Sequence, residues 1–270
     1  MKPNRQIVNK IIPTSTSGTG EDYIPTFGDI LMIHGDGIKG SRDIVDVLGN
    51  PITVLGEVEI TDKPKFGSGC LNWINYFGNG NMLSITNVND FYLGIEPWTF
   101  EAWVYPKDQV GANYGGHIFS SGEDRYPLSK GKFIDFTVTR NFTDFFVRFE
   151  EDDVDDKRIS YRYNGGLSAD KWSHIALVCS GGYDKNNLFI NYYINGQRVA
   201  MNPAFDAVKY TGQYMPRIIT PLYIGGGKYS ALMNSWWGMM DEVRLVKGYA
   251  LWNSDSFNVP SYPYKNVKEI

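Results

Sequence analysis

The stretch from Pro97 to Pro106, P-W-T-F-E-A-W-V-Y-P, constrains the fold more than any other. In an extended chain Trp98, Phe100, Ala102 and Val104 fall on one side, and Thr99, Glu101, Trp103 and Tyr105 on the other. Such alternation marks a half-buried antiparallel strand. Short runs of the same kind recur along the chain, and none carries a sustained 3.6-residue amphipathic period. An all-β chain with little helix is expected. The 29 glycines suit many short strands joined by tight turns, and 270 residues fit one large β domain.

Residues 1–28 stand apart. I-I-P-T-S-T-S-G-T-G-E-D-Y-I-P-T-F-G is rich in Ser, Thr, Gly and Pro and reads as an extended arm or linker. It is either a loose terminus or an attachment arm that docks on a neighbouring subunit, with Val8, Ile11 and Ile12 supplying apolar contacts. The domain, residues 29–270, opens on D-I-L-M-I-H-G-D-G, a strand that ends in the glycine-flanked Asp36. In I-V-D-V-L-G-N-P-I-T-V, a Gly-Asn-Pro turn between two β-branched runs signals a hairpin. Strands are also expected at Lys132–Thr139, Phe145–Glu151 and Lys157–Tyr163. Leu188–Gly196 ends in Asn195-Gly196, a type I′ hairpin dipeptide.

Composition excludes several functions. The formal net charge is −4, so no basic surface invites nucleic acid. No charged and then apolar leader opens the chain, and no apolar run is long enough to span a bilayer; a secretory signal and membrane insertion are therefore not expected. Cys70 and Cys179 lie in strand-like runs and read as lone core thiols. His34, His117 and His174 lack metal-ligand spacing, and His174, beside Trp172, reads as a hydrogen-bonded structural residue. Glu150-Glu-Asp-Asp-Val-Asp-Asp156 reads as a solvated loop between two strands, with a weak surface cation site as the alternative. Gly225-Gly226-Gly227 reads as a bulge or turn rather than an anion nest.

The closing segment reads W-W-G-M-M-D-E-V-R-L-V-K-G-Y-A-L-W-N-S-D-S-F-N-V-P from Trp236. Uninterrupted alternation places Met240, Glu242, Arg244 and Val246 on one side and Met239, Asp241, Val243 and Leu245 on the other, with one side half wet. Trp236 and Trp237 then face opposite ways. The aromatic tail beyond Gly248 has to wrap onto something. This ending resembles that of LamG-like jelly rolls of the concanavalin A-like lectin/glucanase superfamily, in the versions found in tailed-phage structural proteins. P-W-T-F-E-A-W-V-Y-P, H-I-F-S-S-G, D-K-W-S-H-I-A-L-V and the H-x-D-G opening are similar to the family's strands in the same order. One departure is Gly35, where the family has a bulky residue. The resemblance covers residues 29–263 and implies a two-sheet antiparallel jelly-roll β-sandwich.

It also implies a function. The expectation is a non-catalytic, virion-associated binding module of a bacteriophage that recognises host-surface carbohydrate. Its partners would be other virion structural proteins and a host glycan, with a homo-oligomer left open; it would be made in the host cytoplasm and sit in the virion. The alternative is a capsid-decorating or tail-assembly subunit held by its arm and binding no sugar. A glucanase is not expected, since no strand carries the E-x-D-x-x-E pattern that sets two acids on one face. Loop tyrosines are the candidate sugar contacts: Tyr114, Tyr126, Tyr183, Tyr210, Tyr214 and Tyr229. The resemblance further implies a structural calcium ion (Ca2+) held by Asp36 and Asp241. In the competing reading Asp36 caps a turn and Asp241 pairs with a base such as Lys39.

Overall fold

The computed structural model describes residues 28–74, 80–86, 93, 97–108, 115–122, 133–139, 143–148, 158–180, 190–200, 207–208, 221–227 and 235–265. In chain order the strands are β1 (Asp29–Ile33), β2 (Ile52–Leu55), β3 (Val58–Thr61), β4 (Cys70–Trp73), β5 (Met82–Ile85), β6 (Trp98–Pro106), β7 (Gly115–Gly122) and β8 (Phe133–Thr139). Then follow β9 (Thr143–Arg148), β10 (Arg158–Tyr163), β11 (Ser173–Cys179), β12 (Ile190–Ile194), β13 (Gln197–Val199), β14 (Ala207–Val208), β15 (Leu222–Ile224) and β16 (Gly238–Lys247). Among the described residues there is no helix, and hence none long and apolar enough to cross a membrane.

The strands form two antiparallel sheets, as alternation requires. The first runs β13-β12-β11-β6-β16-β4-β3, with β1 also paired to β16, and the second β14-β10-β9-β8-β7-β15-β5-β2. Between them lies one apolar core. From β6 it takes Trp98, Phe100, Ala102 and Val104, the side chains that alternation assigns to one face. Phe100 packs 4.7 Å from Phe119, Phe119 5.7 Å from Phe136, and Phe136 5.7 Å from Tyr192, a file of rings that ties the sheets together. Burying each such side chain stabilises the fold by about 1.5–3 kcal/mol.

Local expectations fare unevenly. Asn195 and Gly196 have φ of 48° and 76°, as a type I′ turn between β12 and β13 needs. Gly225, at φ 74°, turns the chain after β15, and a Cβ there would meet the Trp73 indole. Both cysteines are free and buried, and burial, with Asp241 nearby, pushes the Cys70 thiol up to about 12. The expected hairpin around Gly49-Asn50-Pro51 supplies only one strand, β2. The run before it is a loop pinned to β1, where Asp46 Oδ1 accepts Met32 N at 2.9 Å and Leu48 N at 3.1 Å, and Asn50 Nδ2 donates to Ile30 O at 2.8 Å. A carboxylate has taken the place of a strand ladder there. Residues 1–27 of the arm and the acidic run 150–156 lie outside the described residues.

The closing strand departs most from its sequence pattern. Its register against β6 passes from Asp241↔Trp103 to Arg244↔Glu101, so that two residues of β16 lie opposite one of β6 and a β-bulge interrupts it. Glu242 sits in the bulge at φ 51°. The extra residue turns Val243 and Leu245 inward with Met240 and leaves Asp241 and Arg244 outward together. Nor is the strand half wet. It is buried from Gly238 to Val246, because β6 flanks one side, β4 and β1 share the other, and the C-terminal segment crosses its outer face.

Candidate functional site

The outer face of the first sheet has two halves. Residues 249–264 cover one as a strap. Thr99 Oγ1 donates to Tyr249 O and accepts Leu251 N, each at 3.0 Å, and Trp252 Nε1 donates to Glu101 Oε2 at 3.1 Å. Trp252 stacks on Phe257 at 4.0 Å, and the pair packs on Ala176, Val178 and Tyr193. Beneath the strap Arg244 Nη2 meets Glu101 Oε1 at 2.6 Å. Burial pulls the guanidinium down to about 10, so it remains charged at neutral pH. His174 Nε2 lies 3.3 Å from Tyr264 Oη, the hydrogen-bonded structural role expected for it. Glu242 accepts Tyr264 N at 2.7 Å and meets His34 Nδ1 at 2.9 Å.

The other half carries half-buried rings. Register sets Glu59, Asn72, Met239 and Tyr105 in one outward row across β3, β4, β16 and β6. Trp172, just before β11, meets Tyr105 edge to face at 5.5 Å. Lys107 continues β6 by donating its N–H to Trp237 O at 3.1 Å, and its Nζ stands 5.2 Å from the Trp237 ring centroid. The same Nζ donates to Asn72 Oδ1 at 2.7 Å. Next to this row Phe66 meets Trp103 edge on at 5.8 Å, and Lys65 Nζ stands 4.1 Å from the Trp103 centroid. Tyr105, Trp172, Trp237 and Phe66 are each half-buried, so each ring is fixed by packing yet presents area to solvent. Rigid amphipathic rings beside an amide, an ammonium and a carboxylate suit a ligand with one apolar and one hydroxylated face, such as a sugar.

Two carboxylates of the second sheet, Asp135 and Asp144, are engaged by neighbouring side chains. His117 Nδ1 lies 2.6 Å from Asp135 Oδ1, and Thr137 Oγ1 donates to Asp135 Oδ2 at 3.0 Å. Arg162 donates twice to Asp144, both at 2.7 Å. Each carboxylate already has a base against it, an arrangement that holds strands together.

Tyr114, Tyr126, Tyr183, Tyr210, Tyr214 and Tyr229 lie outside the described residues. Asp36 and Asp241 are brought to one loop, residues 65–69. Asp36 Oδ1 accepts Ser68 Oγ at 3.0 Å and Gly69 N at 3.3 Å, capping that turn. Asp241 Oδ2 accepts Lys65 N at 2.7 Å and Phe66 N at 3.0 Å, and Oδ1 accepts Glu242 N at 2.9 Å. Burial foremost, with Glu242 beside it, pushes the Asp241 carboxyl up to about 8 against the pull of these N–H groups. N–H dipoles aimed at both oxygens occupy the directions a cation would need, so Asp241 fits calcium poorly. Among the described residues no group of three or more His, Cys, Asp or Glu could hold a metal ion. Lys39 pairs with Asp62 at 3.1 Å rather than with Asp241.

A family model of the concanavalin A-like lectin/glucanases superfamily, Laminin G 3, matches residues 77–252, more than half of the chain. The chain belongs to this family. Among solved structures, the binding domain of Paraclostridial mosquitocidal protein 1 superposes with a TM-score of 0.53 at 10% identity, over 82% of this chain and 49% of that one. The binding domain of botulinum neurotoxin DC in complex with rat synaptotagmin II gives 0.54 at 14%, over 84% and 49%. A botulinum neurotoxin type C structure, whose cell entry is described as dependent on two ganglioside molecules, gives 0.54 at 14%, over 84% and 49%. At these identities the likeness is one of fold, and this lectin-like chain spans about half the length of each of those chains. All three are clostridial toxin proteins rather than phage proteins. A comparison with curated proteins found no match.

Proposed function

We propose that this protein is a non-catalytic carbohydrate-binding module, and that it takes glycan on the ledge formed by Tyr105, Trp172 and Trp237. The observation that carries this reading is the row itself: half-buried rings beside Asn72 and Lys107, on the half of the face the strap leaves uncovered. Membership of a lectin/glucanase family agrees with it, and the engagement of Asp135 and Asp144 by bases argues against the glucanase branch. The likeness to toxin binding domains, which shows the fold alone, is consistent with a surface-recognition role. A host-surface glycan read from a phage particle is the finer form, with other virion structural proteins as partners; it rests on the resemblance of the Trp236–Pro260 segment. A glycan array with the full chain tests the reading: binding to a defined set of oligosaccharides is expected. A chain that binds none, yet assembles into particles, would instead be a decorating or tail-assembly subunit.

A further inference from the structure

The ledge holds a half-buried ammonium, Lys107, with Glu59 as the carboxylate of its row, in a chain whose formal net charge is −4. Lys107 brings its Nζ to Asn72 Oδ1 and the face of Trp237, and no carboxylate among the described residues lies within ion-pair distance of it. Lys65 stands over Trp103 at the same edge. Desolvation by burial, then the charge of Lys63, lowers the Lys107 pKa, with Cys70 and Glu59 pulling the other way. A half-buried ammonium held by a neutral amide and a ring is incompletely compensated. An anion of the right reach would complete it with a charge-assisted hydrogen bond while the rings hold the rest of the ligand. The exposed Asp108 and Asp170 are the carboxylates on the Trp172 side, and Asp170 Oδ1 already accepts Asp108 N at 3.4 Å.

We infer that the ledge takes a glycan bearing a carboxylated sugar, whose carboxylate is received by Lys107 while its ring lies on Tyr105 and Trp172. This rests on the carbohydrate-binding reading above and narrows it to acidic glycans. The test prints oligosaccharides in pairs, each one ending in a uronic acid or other carboxylated sugar beside its carboxyl-reduced form. A poly-glutamate peptide serves as a second anion. The full chain is expected to bind acid forms about tenfold or more tightly than reduced forms at low salt. That ratio should shrink as salt rises. Lys107→Gln should bring the acid forms down to the affinity of the reduced ones, and Lys107→Arg should keep the ratio, each variant being checked first by thermal melting. Equal binding of both members of each pair, or an acid preference intact in Lys107→Gln, would overturn the inference and leave the carbohydrate reading standing. Binding to poly-glutamate alone, or to no glycan, would overturn both.

Discussion

Glu101 and Arg244 face each other in register from β6 and β16, and both are fully buried. Removing one member of a buried ion pair strands the other charge, which costs about 3–5 kcal/mol. Glu101→Gln keeps the shape and the bond from Trp252 but leaves Arg244 uncompensated, so a loss of about that size is expected in chemical denaturation. A loss under about 1 kcal/mol would show that Asp29, whose Oδ1 lies 3.8 Å from Arg244 Nε, carries the pair instead. Asp241 is a second residue-scale case. In Asp241→Asn an NH2 must face a backbone N–H at one of the two oxygen positions, a clash worth about 1–3 kcal/mol. Because those positions are filled by N–H donors, added calcium should leave the melting temperature of the wild-type chain unchanged. A rise with calcium that EDTA reverses and Asp241→Asn abolishes would restore the ion to this loop.

Among elements, the strap matters most. Its aromatic residues were legible as a tail in need of a partner, and Trp252 and Phe257 do find one on β11 and β12. The bulge was not legible. Asp241-Glu242 carries no glycine to announce a left-handed residue, and what holds Glu242 at φ 51° is distant in sequence, the Tyr264 N–H and His34. A slip of one residue exchanges the faces of a strand, which is why alternation carried past Asp241 misplaced Val243 and Leu245. Truncation after Gly248 should uncover Ala176, Val178 and Tyr193 and expose the Glu101–Arg244 pair to water. The truncated chain is expected to melt lower and to bind a hydrophobic dye. An unchanged melt would mean that the sandwich stands without its strap.

For the whole molecule, the two-sheet sandwich was readable because strands such as β6 carry a period-two pattern, and family membership bears out the LamG-like part of the resemblance but not its phage versions. The ledge was only half readable. Tyr105 and Trp103 are outward by alternation, and Lys107 follows Tyr105 two residues on, but Asn72, Trp172 and Trp237 come from separate stretches and meet them only through the order β4-β16-β6-β11. Sheet order is a long-range property that no local pattern encodes. The most direct measurement is calorimetric titration of a glycan chosen from the array into the wild-type chain, Trp172→Ala and Tyr105→Ala, after each variant is shown to fold. Both substitutions should weaken binding by more than about tenfold, the loss typical of a central aromatic contact. Affinities equal to wild type in both variants would contradict the account.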